Sequence, residues 1–254
     1  MSLTMIVPFF NESKRWREEY WNAATSLHDI EWIFINDGSS DDTKLLIDTF
    51  CSGRQNVNAI HIGENTGKAE AVRAGMLKAF DRPSEDLLGI GFIDADGAFA
   101  ISDIDRVAQI FTSKMQEQVG FDAVWTARIA LAGRNVTRSS FRHYIGRIVA
   151  TIIGSNFPES PYDTQSGFKI FAATQNLKQN LSLPFKTRWL FDVEILLRWN
   201  LQNSKSMKIW EEPLLAWSDV AGSKVSLLHT VRIIRELLFI NKLKKSLSQL
   251  KKAS

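Results

Sequence analysis

One cysteine, Cys51, stands among 254 residues, so no disulfide can close within the chain, and no Cys/His cluster offers a structural zinc site. A reducing compartment is the expectation. Prolines number six and glycines 14, while 44% of the residues are hydrophobic and 23% charged, which excludes collagen-like, disulfide-scaffold and disordered chains. No apolar run reaches the roughly 18 to 20 residues that a membrane-spanning helix needs. Arg147 interrupts the best central stretch, and Arg232, Arg235 and Glu236 interrupt the last. The first apolar stretch gives way to Asn11 and Glu12 and carries no basic leader, so it reads as a strand and not as a signal peptide. His28, His61, His143 and His229 are scattered and suggest neither a triad nor a metal cluster.

Charge is close to balanced at +3, yet Thr230 to Ser254 hold seven basic residues and one acidic, which leaves the remainder net negative. Up to about Arg128, short apolar runs alternate with longer periodic stretches, the mark of βαβ units and a mostly parallel sheet flanked by helices. The pattern predicts strands at Leu3 to Val7, Glu31 to Asn36, Val57 to Ile62, Leu88 to Ile93 and Ala123 to Thr126. Helices are expected over Glu12 to Leu27, Asp41 to Cys51, Thr66 to Phe80 and Ser102 to Gln118. The second half is less regular. It offers an Arg-rich stretch from Arg134 to Arg147, a segment from Tyr162 to Phe171, a helix near Phe191 to Leu201 and a short strand at Met207 to Trp210. A basic amphipathic helix or tail is expected over residues 226–254, with Leu227, Val231, Ile234 and Leu238 on one stripe and lysines from Lys242 onward.

Several of these strands end in polar or acidic residues, and in an open α/β sheet that edge is where ligands bind. After the second strand comes Asn36-Asp37-Gly38-Ser39-Ser40-Asp41-Asp42-Thr43, in which Asp37 would protrude at the edge, although any capped strand-to-helix turn has this composition. After the fourth comes Asp94-Ala95-Asp96-Gly97; residues two apart in an extended chain share a face, so the two carboxylates converge and call for a hard cation such as Mg²⁺ or Mn²⁺. An ordinary acidic turn is the plain alternative. Asn65-Thr66-Gly67-Lys68, at a helix start, offers free N–H groups and a lysine for an anion, but lacks the glycine frame of a P-loop.

In order and spacing these strings, together with Pro8-Phe9-Phe10-Asn11-Glu12, resemble the GT-A glycosyltransferases of family 2. Asp163-Thr164-Gln165-Ser166-Gly167-Phe168-Lys169, Arg188-Trp189-Leu190-Phe191-Asp192-Val193-Glu194 and Gly222-Ser223-Lys224 look like the branch that glycosylates polyprenyl or dolichyl phosphate, near the dolichyl-phosphate β-glucosyltransferases. The resemblance implies a GT-A fold, a nucleotide-sugar donor, a divalent cation and inversion at the anomeric carbon. It divides residues 1–225 into a nucleotide-sugar half to about 128 and an acceptor half over 129–225. It implies that Pro8, Glu12 and Asp37 line the nucleoside pocket beside Lys68, and that Asp94 and Asp96 hold the metal. Arg128, Arg142 and Lys224 would meet the acceptor phosphate, where arginine forks suit a planar array of oxygens. Three departures are visible: Ala98 stands where mannose synthases commonly carry a metal-facing glutamine, Ala127 precedes Arg128 where the family has serine, and the arginine that mannose synthases carry just upstream of Gly222-Ser223-Lys224 has no counterpart.

The expected reaction moves a hexose, glucose from UDP-glucose, onto a polyprenyl phosphate at the cytoplasmic membrane face, with the basic tail resting on the lipid surface. An ionised phosphate needs no base. A saccharide hydroxyl does, and in that second reading Asp163, Asp192 or Glu194 would take the proton. Capping or ion pairs to Arg188 or Arg198 account for those three carboxylates equally well. A non-catalytic nucleotide-sugar-binding subunit is the third reading. Nucleic acid is not an expected partner, since no recognised module accompanies the basic tail. The oligomeric state is left open.

Overall fold

Short β-branched runs set the sheet. The structure is a computed structural model, and it describes residues 2–81, 87–117, 120–137, 150–154, 160–203, 205–218, 235–242 and 244. Strands β1 (Ser2–Phe9), β2 (Ile30–Asp37), β3 (Val57–Ile62) and β4 (Leu87–Ile93) lie parallel. β5 (Ala123–Ala127), β7 (Phe168–Ala172) and β8 (Ile209–Pro213) complete a seven-stranded sheet in the order β3-β2-β1-β4-β7-β5-β8. β7 runs antiparallel to both neighbours, and β8 runs parallel to β5. β6 (Asn135–Thr137) and β9 (Ala216–Ser218) pair separately, and Phe99 bridges to Trp217 beside them.

Among the described residues, the helices on the sheet are α1 (Glu18–Thr25), α2 (Thr43–Cys51), α3 (Lys68–Phe80), α4 (Ile101–Gln116), α5 (Gln175–Asn180) and α6 (Phe191–Gln202). Because successive strand residues point to opposite faces, β1 and β2 feed two cores at once, as strands covered on both sides must. Val7, Trp32 and Phe34 meet α1, α2 and α4 through Trp21, Ile47, Phe50 and Phe111. Ile6, Ile33 and Ile35 meet α3, α5 and α6 through Val72, Met76, Leu177 and Trp199 on the other face. Gly75 lets α3 come close, since a Cβ there would lie 2.5 Å from Ile6 Cγ2.

The strand expectations for β1 to β5 hold to within a residue or two at their ends. Two others need correction. The single helix expected over Glu12 to Leu27 is a 3-10 turn, Ser13–Arg15, followed by extended Trp16 and then α1. Trp16 leaves the helical path to pack its ring 5.6 Å from both Phe9 and Phe50, so burial of an aromatic outweighs local helix propensity. The segment expected at Tyr162 to Phe171 resolves into a turn and the reversed strand β7, and the strand expected at Met207 to Trp210 sits later, as β8.

Of the expected C-terminal helix, residues 235–242 are helical, with Leu237 and Ile240 packed on Leu190, Val193, Leu197 and Ile153. Leu238 and Phe239 stay exposed. The rest of the 226–254 expectation lies outside the described residues. Among the described residues no helix is long and apolar enough to cross a membrane.

Candidate active site

β1 and β4 are adjacent and parallel, but the chain continues from β1 to β2 on one side and reaches β4 on the other, which opens a crevice at their carboxyl ends. Asp37 ends β2 and is 2% exposed. One of its oxygens accepts from the Thr66 N–H (2.8 Å) and hydroxyl (2.7 Å), the other from the Gly67 N–H (2.8 Å) and the Asn65 amide (2.9 Å). Four donors on one carboxylate lock the 65–67 turn at the mouth of α3. Gly38 is required beside it, with φ +65° and no room for a Cβ, which would sit 2.5 Å from the Asn65 nitrogen.

The turn delivers Lys68, the first residue of α3, to the end of β4, where its ammonium pairs with Asp94. Phe92 and Phe191 flank that ammonium at 5.7 and 6.0 Å. Asp94 is seated from the far side by the start of β7: its N–H donates to the Gly167 carbonyl at 3.0 Å. A Cβ at Gly167 would lie 2.1 Å from Asp94 Oδ2, so only glycine admits the carboxylate in this position.

Asp96 accepts from the Ala98 N–H at 3.1 Å. Burial pushes its pKa upward, the Asp94 charge adds to the rise, and Lys68 and Arg15 offset part of it. A carboxylate whose charge is disfavoured beside a second hard carboxylate fits a divalent cation. Among the described residues no group of three or more His, Cys, Asp or Glu assembles, so such an ion would take its remaining ligands from donor phosphates and water. Glu12 pairs with Arg15 and its N–H donates to Thr43 Oγ1 at 2.8 Å; Pro8 stands opposite Ile35 near the end of β1.

The loop after β1 is tied to α2 through Asp41, which accepts from the Ser13 N–H at 3.1 Å and hydroxyl at 2.6 Å. Burial works against the charge of Asp41, but the Ser13 and Thr43 hydrogen bonds outweigh it and hold the pKa at about 2. A carboxyl depressed below its ordinary value stabilises the fold above that value and stops doing so as pH falls through the lowered one. Part of the stability lost between pH 4 and about 2 should thus belong to Asp41. Urea midpoints across that range should fall less for Asp41→Asn than for the wild type; parallel curves would exclude the link.

Arg128 and Asp163, expected as phosphate ligand and candidate base, are each other's partners. The guanidinium meets the carboxylate through Nε at 2.7 Å and Nη2 at 2.8 Å, and the Arg128 N–H adds a third bond at 3.0 Å. Trp217 lies 5.2 Å beneath that guanidinium. Glu211 accepts the N–H groups of Tyr162 and Asp163, both at 2.8 Å. Burial raises the Glu211 pKa, and the Asp163 charge adds to the rise. Asp192 forms a buried ion pair with Lys169. Glu194, fully buried, accepts from the Lys186 and Thr187 N–H groups, the Thr187 hydroxyl and Arg198. Arg142 and Lys224 lie outside the described residues.

Sequence reasoning gave no site role to Lys169 or Glu236, and offered Arg188 only as an ion-pair partner for a carboxylate. Arg188 Nη2 donates to the Thr66 carbonyl at 3.3 Å, across the entrance to α3. Glu236 accepts the N–H groups of Arg188, Trp189 and Leu190, and so joins residues 235–242 to the start of α6. A lysine amid the apolar run Phe168 to Ala172 was the available signal for the first, since a buried charge requires a partner.

Residues 4–197 match the Glycosyl transferase family 2 domain, and the chain belongs to that family of glycosyltransferases. It is 32% identical over 239 residues to a dolichyl-phosphate beta-glucosyltransferase of Drosophila melanogaster, covering 89% of this chain and 70% of the relative. A dolichyl-phosphate beta-glucosyltransferase of Trichomonas vaginalis is 27% identical over 251 residues, covering 94% of this chain and 72% of the relative. Glucosyl-3-phosphoglycerate synthase from Mycobacterium tuberculosis, solved with Mn²⁺, UDP and glucosyl-3-phosphoglycerate, superposes with a TM-score of 0.66 at 16% identity, over 96% of this chain and 79% of that one. A mannosyltransferase from Pyrobaculum calidifontis, solved with GDP-Man and Mn²⁺, reaches a TM-score of 0.57 at 14% identity, over 91% of this chain and 60% of that one. These structures share the fold, and the expected GT-A architecture is borne out.

Proposed function

We propose that the chain transfers glucose from UDP-glucose to a polyprenyl or dolichyl phosphate, with inversion at the anomeric carbon. The observation that carries the acceptor class is the state of the three candidate bases. Asp163, Asp192 and Glu194 are bound to Arg128, Lys169 and Arg198 respectively, which suits a nucleophile that is ionised before it arrives. The two relatives named for dolichyl phosphate point the same way.

On the donor side, Asp94 and Asp96 would hold Mg²⁺ or Mn²⁺, whose Lewis acidity favours departure of the nucleoside diphosphate. Lys68, already at Asp94, supplies a further positive charge for the diphosphate. Asp37 serves the nucleoside wall through the turn it fixes, with Pro8 and Glu12 on the neighbouring strand end. On the acceptor side, Arg128 holds a fixed guanidinium plane for phosphate oxygens, joined in our reading by Arg142 and Lys224. A lipid acceptor implies contact with a membrane surface. Exposed Leu238 and Phe239, on a helix fastened to the α6 entrance by Glu236, support docking there beside Trp189.

The test incubates the purified chain with Mn²⁺, a panel of labelled nucleotide sugars and a short-chain polyprenyl phosphate. Label should pass into the organic phase from UDP-glucose. Donor hydrolysis without lipid labelling would redirect the search to saccharide acceptors; failure both to bind and to hydrolyse any donor would reject the enzyme assignment.

A further inference from the structure

Lys169 is the second of five residues in β7, opposite Phe92 of β4, and its side chain is 0% exposed. Its ammonium donates to the Thr164 carbonyl at 2.9 Å and the Ser166 carbonyl at 2.8 Å, and pairs with Asp192 Oδ2 at 2.5 Å. An ammonium has three N–H donors, and each has an acceptor here. Trp125 and Phe92 line the remaining space, 4.5 and 5.5 Å from the nitrogen. Holding a charge in such a place is electrostatically expensive, and an apolar side chain of the same volume would fill it without that cost. What an apolar side chain would not supply is a clamp on two backbone carbonyls.

Those carbonyls belong to the turn from Asp163 to Gly167. At one end of the turn Gly167 accepts the Asp94 N–H and presents a bare Cα to the Asp94 carboxylate. At the other end Asp163 grips Arg128. We infer that Lys169 is a positioning residue: by clamping the 163–167 turn it sets the seat of Asp94, and thereby the affinity of the donor site for its cation. The inference rests on the assignment of Asp94 and Asp96 to that cation. It adds that Asp192 acts through Lys169, as counter-charge, and takes no proton from the acceptor.

The experiment reads binding, not turnover. Free Mn²⁺ is titrated by electron paramagnetic resonance in the presence of UDP, and each variant's fold is checked by circular dichroism. The double variant Lys169→Met/Asp192→Asn removes the clamp without stranding a buried charge, and should weaken Mn²⁺ binding by about tenfold or more, as loss of a supporting contact does at other metal sites. Asp192→Asn alone keeps both carbonyl contacts and should lose less than about threefold. Where the methionine variant does not fold, Lys169→Leu/Asp192→Asn, which likewise has no donor for the two carbonyls, is held to the same threshold. A folded double variant with wild-type Mn²⁺ affinity makes Lys169 purely structural and overturns the inference. Failure of the wild-type chain itself to bind Mn²⁺ overturns the cation assignment, and this inference with it.

Discussion

Asp96→Ala should reduce glycosyl transfer by about 10³-fold or more, equivalent to about 4 kcal/mol of transition-state stabilisation, with the fold intact. The reason lies in what the carboxylate does for the protein alone. Asp96 is partly buried against a second negative charge at Asp94, and one backbone N–H from Ala98 is the hydrogen bond it receives in return. Its raised pKa says that the folded chain disfavours the charge it would need to hold a cation. Removing a group in that position relieves repulsion and leaves stability unchanged or slightly improved, while the proposed Mn²⁺ site would lose one of its two protein ligands. Initial rates across a Mn²⁺ series, read beside thermal unfolding, separate the two effects. Transfer within about tenfold of the wild type at saturating Mn²⁺ would remove Asp96 from the cation site.

Glu194→Ala should act in the opposite manner, destabilising the fold by about 3–5 kcal/mol. The carboxylate is fully buried and receives the Thr187 N–H at 2.8 Å, the Thr187 hydroxyl at 2.8 Å and Arg198 Nη2 at 2.7 Å. Alanine would strand the Arg198 charge and orphan the N–H groups of residues 186 and 187. Against a typical total of about 5–15 kcal/mol, the loss should be plain in a urea midpoint. Glu194→Gln is the informative companion, since an amide oxygen still accepts these donors. If that variant folds like the wild type, loses transfer and also loses the acid limb of the pH profile, Glu194 is a general base. A saccharide hydroxyl would then be the acceptor.

How much of this was legible in the sequence differs between the two sides of the sheet. β1 to β4 and their acidic ends were readable, because parallel strands buried on both faces leave continuous apolar runs such as Ile33-Phe34-Ile35, and the polar residues that stop them mark the edge. Asp94, Asp96 and Lys68 could be assigned to one edge on that ground, and the structure brings Asp94 and Lys68 into contact. The partners of Asp163 and Asp192 were not readable. Arg128 meets Asp163 across 35 residues, and Lys169 meets Asp192 across 23, through strand placements that no local period encodes. The direction of β7 was hidden for a related reason, as Phe168 to Ala172 is a five-residue apolar run that fits a buried strand of either sense. Trp16 misled in another way, because its helix-compatible neighbours conceal a ring that packs on Phe9 and Phe50.

The reversed strand bears on how the chain can be cut. β7 comes from beyond residue 128, yet it is the strip that joins β4 to β5, both of which precede that point. A fragment stopping at residue 128 would keep the acidic loops but leave two bare strand borders with no filler between them, a template for self-association. The portion up to residue 128 is thus not a detachable module. Grafting it onto another acceptor region would have to carry Phe168 to Ala172 along with it.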